Sequence, residues 1–210
     1  MDTSLQMAFQ AVASAIKQRQ PSLSSGTGGQ IITQPFSVGL YATTAINGLA
    51  LSTISLTANA ITLIPFIPTV KMSMTDITFY VSTAVTGFVK IVVYDSNLST
   101  GAPNNRIYLG GDIVTTSIGH IGDIGLNITM EAGRLYYIGF HASAAVTVRA
   151  AVTGGLQSLG IATVSGVAHI TKIVRTLVFG TTPPETWGSP ALGEYIAGSA
   201  PVFFLRWSVL

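Results

Sequence analysis

A chain of 210 residues suits one full domain with an appendage, because a domain of roughly 100–200 residues can bury about 70% of the surface its unfolded chain exposes. Only 9% of the residues are charged, against about 25% in an average soluble protein, and 22 glycines with a mean hydropathy of +0.55 imply a surface that is hydroxylated or covered by other chains. The net charge of +2 comes from Lys and Arg scattered between Lys17 and Arg206, which excludes a basic nucleic-acid patch, and the absence of cysteine excludes disulfides, thiolate metal sites and a cysteine nucleophile.

The first predicted element is a helix over residues 2–19. Thr3 and Gln6 have capping-box spacing, Leu5, Phe9, Val12 and Ile16 draw one apolar stripe, and Pro21 ends the run. A helix of this length is marginal alone in water, whereas burying its four large side chains would contribute roughly 6–12 kcal/mol, so it should be docked. It could pack on its own domain or anchor the chain elsewhere. The Ser/Gly linker from Ser22 to Gly29 detaches it from the β-patterned remainder of the chain and favours the anchor. The expected organisation is an anchoring helix over 1–20, a linker over 21–30 and one β domain over 31–210. No window of about 18 residues is continuously apolar, and the positive charges follow the apolar part of the N-terminus, so neither membrane insertion nor a signal peptide is expected.

From Gln30 onward the pattern is β throughout. Ile54 and Leu56 alternate with polar residues, and Ile61 and Leu63 come next. Pro65-Phe66-Ile67-Pro68 should lie at a sheet edge, because proline has no N–H to give a ladder. Ile77, Phe79 and Val81 form one face of a strand, as do Val89, Ile91 and Val93 in the next. The polar run from Asp95 to Asn105 reads as a shape-setting turn, Arg106 to Thr116 as another strand, and Gly119 to Gly125 as a Gly-rich corner. Leu135 to Phe140 is apolar on both faces, which predicts a strand covered on both sides. Thr171 to Phe179 and Val202 to Leu210 are further strands, separated by a Pro/Gly-rich loop from Gly180 to Gly198. Nine or ten short strands without intervening helices predict an all-β fold, a jelly-roll-like antiparallel β-sandwich with a short N-terminal α-helix.

Catalytic and metal chemistry find little support. His120 and Asp123 are three apart, while His141 and His169 have no partner at ligand spacing, so these histidines are read as structural or solvent-facing. Asp95, Asn97 and Ser99 start like a calcium loop, yet Arg106 stands where a bidentate acid is required. No cofactor or metal is expected, nor enzymatic activity. The remaining candidate is the loop Thr181 to Pro190, where Glu185 and Trp187 sit between prolines. Its indole could stack on a sugar ring or a partner surface, or fold back to cap the sandwich, and the second is preferred.

Three segments carry a resemblance. Leu56-Thr57-Ala58-Asn59 with Ile64-Pro65-Phe66, Ile91-Val92-Val93-Tyr94-Asp95 with Gly101-Ala102-Pro103, and Leu126 to Met130 followed by Ala132-Gly133-Arg134-Leu135-Tyr136-Tyr137-Ile138 resemble a β-sandwich domain that recurs in structural proteins of tailed bacteriophages. It covers about residues 40 to 165, and Asn104-Asn105 and Trp187 depart from it. The resemblance implies a virion component and not an enzyme: an appendage or fibre-type subunit anchored by Leu5, Phe9, Val12 and Ile16. Its expected partners are copies of itself, as a homotrimer, other virion proteins, and a host cell-surface glycan or protein. The alternatives are a capsid cement or decoration protein and a lectin-like module that binds glycan through Trp187.

Overall fold

The computed structural model describes residues 42–43, 51–152, 160–163 and 166–209. The predicted helix, with Leu5, Phe9, Val12 and Ile16, and the Ser/Gly linker lie outside the described residues. In chain order the strands are β1 (Ala42–Thr43), β2 (Leu51–Ser55), β3 (Ala60–Phe66), β4 (Met72–Thr83), β5 (Phe88–Ser96), β6 (Pro103–Leu109), β7 (Ile113–Val114) and β8 (Gly119–Met130). They continue with β9 (Tyr136–Ala142), β10 (Thr147–Ala151), β11 (Gly160–Thr163), β12 (Gly166–Thr176), β13 (Tyr195–Ala197), β14 (Ala200–Pro201) and β15 (Phe204–Val209), and a 3-10 turn spans Leu192–Glu194. The described residues are all-β, as their alternating patterns require, although the strands are cut into more segments than the sequence predicts.

Two antiparallel sheets form. In the first, β4 is central, with β8 on one side and β15 and β10 sharing the other, while β1 flanks β15 and β2 and β14 flank β10. The second runs β11-β12-β3-β9-β5-β6, with β13 on β12 and β7 on β5. The period-2 sets face each other between them. Met74, Ile77, Phe79 and Val81 of β4 and Leu205 and Trp207 of β15 pack with Val89, Ile91 and Val93 of β5 and Ile138 and Phe140 of β9. Phe140 meets Phe79 edge-on at 4.8 Å and stacks on Phe203 at 4.3 Å, so rings from both sheets interlock at the centre.

A second, smaller core lies on the opposite face of the second sheet. Ile61, Leu63, Val92, Tyr94, Tyr137 and Ile173 project away from the first sheet and are sealed by Trp187. This accounts for β9, in which every residue is buried, as a strand apolar on both faces should be.

One expectation needs correction and another is met in part. The glycines from Gly119 to Gly125 do not form a corner: they open the twelve-residue strand β8, which pairs with β4 and is interrupted only by a bulge near Asp76 and Gly125. The expected edge position of the proline-bearing segment is met only locally, at the end of an interior strand. β3 lies between β12 and β9, and Pro65 is tolerated because β12 pairs only as far as Leu63, leaving Pro65 a neighbour on one side, at Tyr137.

Candidate functional site

The turn after β5 is held by its own side chains and by Arg134. The Asp95 carboxylate accepts from the Asn105 N–H at 2.7 Å and from Arg134 at 2.7 Å, and Asn97 Oδ1 accepts from the Ser99 and Thr100 N–H groups at 2.9 and 3.2 Å. Gly101 closes the turn at φ +70°, a backbone state that favours glycine. These side chains satisfy the turn's own backbone, as the sequence predicts, and their oxygens are thereby committed to shape.

The loop from Gly180 to Gly198 acts as a strap across the outer face of the second sheet. It is tied to β6 by Arg106 N–H to Glu185 O at 2.7 Å and by Trp187 N–H to Asn104 O at 2.8 Å. Tyr94 donates to Pro184 O at 2.8 Å, and Arg106 Nη1 donates to Pro183 O. At the far end Thr171 donates to Gly198 O at 2.6 Å and Lys172 Nζ to Ser199 O. Burial pushes the Tyr94 phenol up to about 12, against the pull of the Arg106 and Arg175 cations, and it lowers the Lys172 ammonium.

The two loop residues singled out in the sequence have opposite fates. Glu185 is exposed, while Trp187 is 3% exposed, so the indole is not offered to a sugar or a partner. It folds back. The Arg175 guanidinium lies 4.1 Å from the indole centroid, holds both Glu194 carboxylate oxygens at 2.7 and 3.0 Å, and donates to Trp187 O at 2.7 Å, while the Tyr94 ring meets the indole edge-on at 5.1 Å. Arg175 and Glu194 are not legible as site residues in the sequence, because nothing local to either one announces the other.

Two of the grooves among the described residues could seat something from outside. One, of about 430 Å³, runs in the seam between β6 and β8 and is lined by Tyr108, Asn127, Thr129, Glu131 and Arg134, among others. Its charges are already matched, Arg134 by Asp95 at 2.7 Å and Glu131 by Lys71 at 2.9 Å. The other, of about 590 Å³, lies on the outer face of the first sheet over Gly122 and is bounded by Thr78, His120, Ile124 and Phe204. Its walls come from three strands, β4, β8 and β15. Of these residues His120 stands edge-on to Phe204 at 4.7 Å and to the neighbouring Tyr80 at 5.0 Å, and Arg149 of β10 lies 5.1 Å from the Tyr80 ring. Gly122 is required beneath it, since a Cβ there would lie 2.3 Å from the Ile77 carbonyl oxygen. His120 and Asp123, three apart, fall on opposite faces of β8. Asp123 instead accepts from Tyr108 across the sheets at 2.9 Å, and burial raises its carboxyl. Among the described residues no group of three or more His, Asp or Glu could hold a metal ion.

His141 is fully buried. Its Nε2 lies 3.0 Å from Leu177 O, which can only accept, so Nε2 carries the proton and the buried Nδ1 has no hydrogen-bond partner. Burial, opposed by the Leu177 bond and helped by the Lys90 cation of β5, lowers its pKa below the ordinary 6.5. Between the folded and unfolded values only the unfolded chain takes up the proton, so this contribution is intact above pH 6.5 and is lost as the pH falls below it. Lys90 is itself paired with Asp112 at 3.3 Å. Thermal melts from pH 8 to pH 5 should therefore show an acid loss in the wild type that His141→Gln reduces. Parallel curves for the two proteins would refute the assignment.

No family model matches the chain, and no curated protein matches its sequence.

Proposed function

We propose that the chain is a non-enzymatic structural protein of a tailed-phage virion, an appendage or fibre-type subunit built on a jelly-roll-like sandwich. The N-terminal helix, through Leu5, Phe9, Val12 and Ile16, docks into the particle, and the sandwich meets other copies, other virion proteins or the host surface. The observation that carries this reading is how the chain uses its reactive-looking side chains. Tyr94, Tyr137, Arg106, Lys172 and Arg175 all donate to backbone carbonyls of loops, so they act as struts that hold a shape. A composition with 9% charged residues supports burial between chains. The glycan-binding alternative loses the stacking platform it relied on, since Trp187 is buried.

Deleting residues 1–29 tests the anchor. The truncated chain is expected to keep its β circular-dichroism spectrum and to lose attachment to the particle. Weakened capsids with attachment retained would point to cement instead. Light scattering of the full chain should give a multiple of its 21.9 kDa mass, and a stable monomer at micromolar concentration would overturn the assembly part of the reading.

A further inference from the structure

Resting on the reading that copies of this chain assemble, we propose that two copies join edge to edge through β8, as an antiparallel pair centred on Gly122. Among the described residues β8 pairs with β4 alone, so its other side presents backbone N–H and C=O groups that a further strand can use. The usual guards of such an edge are missing. β8 contains no Lys, Arg or Pro, and its single charge, Asp123, is bonded at 2.9 Å to Tyr108 of the other sheet. Two of the chain's exposed large apolar residues mark the ends of its regular run, Ile118 at 64% and Ile124 at 73% exposure.

The strand's own pattern identifies the occupant as a second copy. Gly119, Gly122 and Gly125 are evenly spaced, so they read the same from either end of the strand. Gly119 and Gly125 have φ of +137° and +71° and bracket the stretch in unbroken register with β4, from Val81↔Gly119 to Asp76↔Ile124. An antiparallel copy centred on Gly122 therefore bends where this strand bends, whereas an unrelated strand would not. Its residues also complement. His120 and Ile124 share the outer face with Gly122, and in this register each His120 stands opposite Ile124 of the other copy. That places an apolar side chain at the rim of the 590 Å³ hollow over Gly122, from both directions. Asp123 falls opposite Ile121 and not opposite its own copy, so no like charges meet. A two-fold contact of this kind yields pairs, and a three-copy assembly would have to be held by other surfaces.

The full chain serves for the test. Sedimentation at micromolar concentration should give twice the 21.9 kDa chain mass or a multiple of that pair, and Ile124→Lys, at an exposed position, should halve the pair to single chains while leaving the circular-dichroism spectrum unchanged and removing the concentration dependence of Tm. Because the chain has no cysteine, the double variant His120→Cys/Ile124→Cys should oxidise to a covalent dimer, facing Cα atoms in an antiparallel pair being about 4.5–5.5 Å apart and within disulfide reach. His120→Cys alone should not, since it faces Ile124. A three-copy assembly indifferent to Ile124→Lys overturns the β8 contact and leaves self-assembly standing, whereas a monomer overturns both. Cross-linking of the single variant as readily as the double overturns the Gly122-centred register.

Discussion

Trp187→Ala is expected to destabilise the protein by about 3–5 kcal/mol, the range for truncating a large buried aromatic, and so to lower Tm by roughly 6–20 °C. The indole is the strap's buried contribution to the second core, with the partly buried Tyr195 packed beside that core, and it meets Tyr94 and lies under Arg175. Removing it leaves a cavity against Ile61, Leu63 and Tyr137 and takes the aromatic face from the Arg175 guanidinium, which keeps Glu194. Tyr94, Arg106, Thr171 and Lys172 still hold the strap at both ends, so the expected damage is a loosened lid over an intact main core. Hydrogen exchange should accordingly rise first between residues 180 and 199, with β4 and β15 still protected. Trp187→Phe distinguishes packing from hydrogen bonding. The indole Nε1 is buried without a hydrogen-bond partner, so phenylalanine keeps much of the apolar contact and should lose well under half of what alanine loses. Equal losses from the two variants would show that the indole supplies more than apolar contact, and an alanine variant that melts within about 2 °C of wild type would show that the strap does not depend on this ring.

The same strap marks where reading from sequence stops. Val89, Ile91 and Val93, like Ile77, Phe79 and Val81, can be assigned to one face because a strand alternates and the main core lies on one side of it. Leu135 to Phe140 carries the additional information that something covers its other face, and β9 is buried throughout. What covers it cannot be read. Trp187 between prolines has the same local composition whether it is exposed or folded in, and the choice is made by Tyr94 and Arg175, which are distant in sequence. The outer-face groove is hidden for a similar reason, since Tyr80, His120 and Phe204 meet only through the registers of β4 with β8 and β15. In β8, the glycines carry the local signal of a turn. Gly122 is there because the backbone of β4 comes too close for a side chain, and Gly119 and Gly125 because their φ of +137° and +71° favour glycine; both demands exist only once the sheet has formed.

Gly139 lies inside the second sheet, where glycine ordinarily weakens a strand and alanine would be expected to stabilise it by about 0.5–1 kcal/mol. We expect the reverse sign. A Cβ at Gly139 would lie 2.5 Å from Thr62 O and 2.5 Å from Leu63 Cδ2, with Leu63 Cα at 3.2 Å, and β9 is held between β3 and β5 with no free side toward which to move. Of these neighbours only the Leu63 methyl can swing away, and it lies in the second core beside Tyr137 and Trp187. Gly139→Ala should therefore cost about 1–3 kcal/mol, near the upper end because a carbonyl oxygen is among the clashing atoms. Urea unfolding measures it. Leu63→Ala made alone opens a cavity at a fully buried position and should itself cost about 2–5 kcal/mol. Made together, the two should cost less than the sum of the single changes by about 0.5–3 kcal/mol, because the shortened side chain at position 63 removes one of the two closest contacts. Strict additivity would mean that the clash is with the Thr62 carbonyl alone, and a Gly139→Ala protein more stable than wild type would mean that β3 and β9 can separate far enough to admit a methyl group.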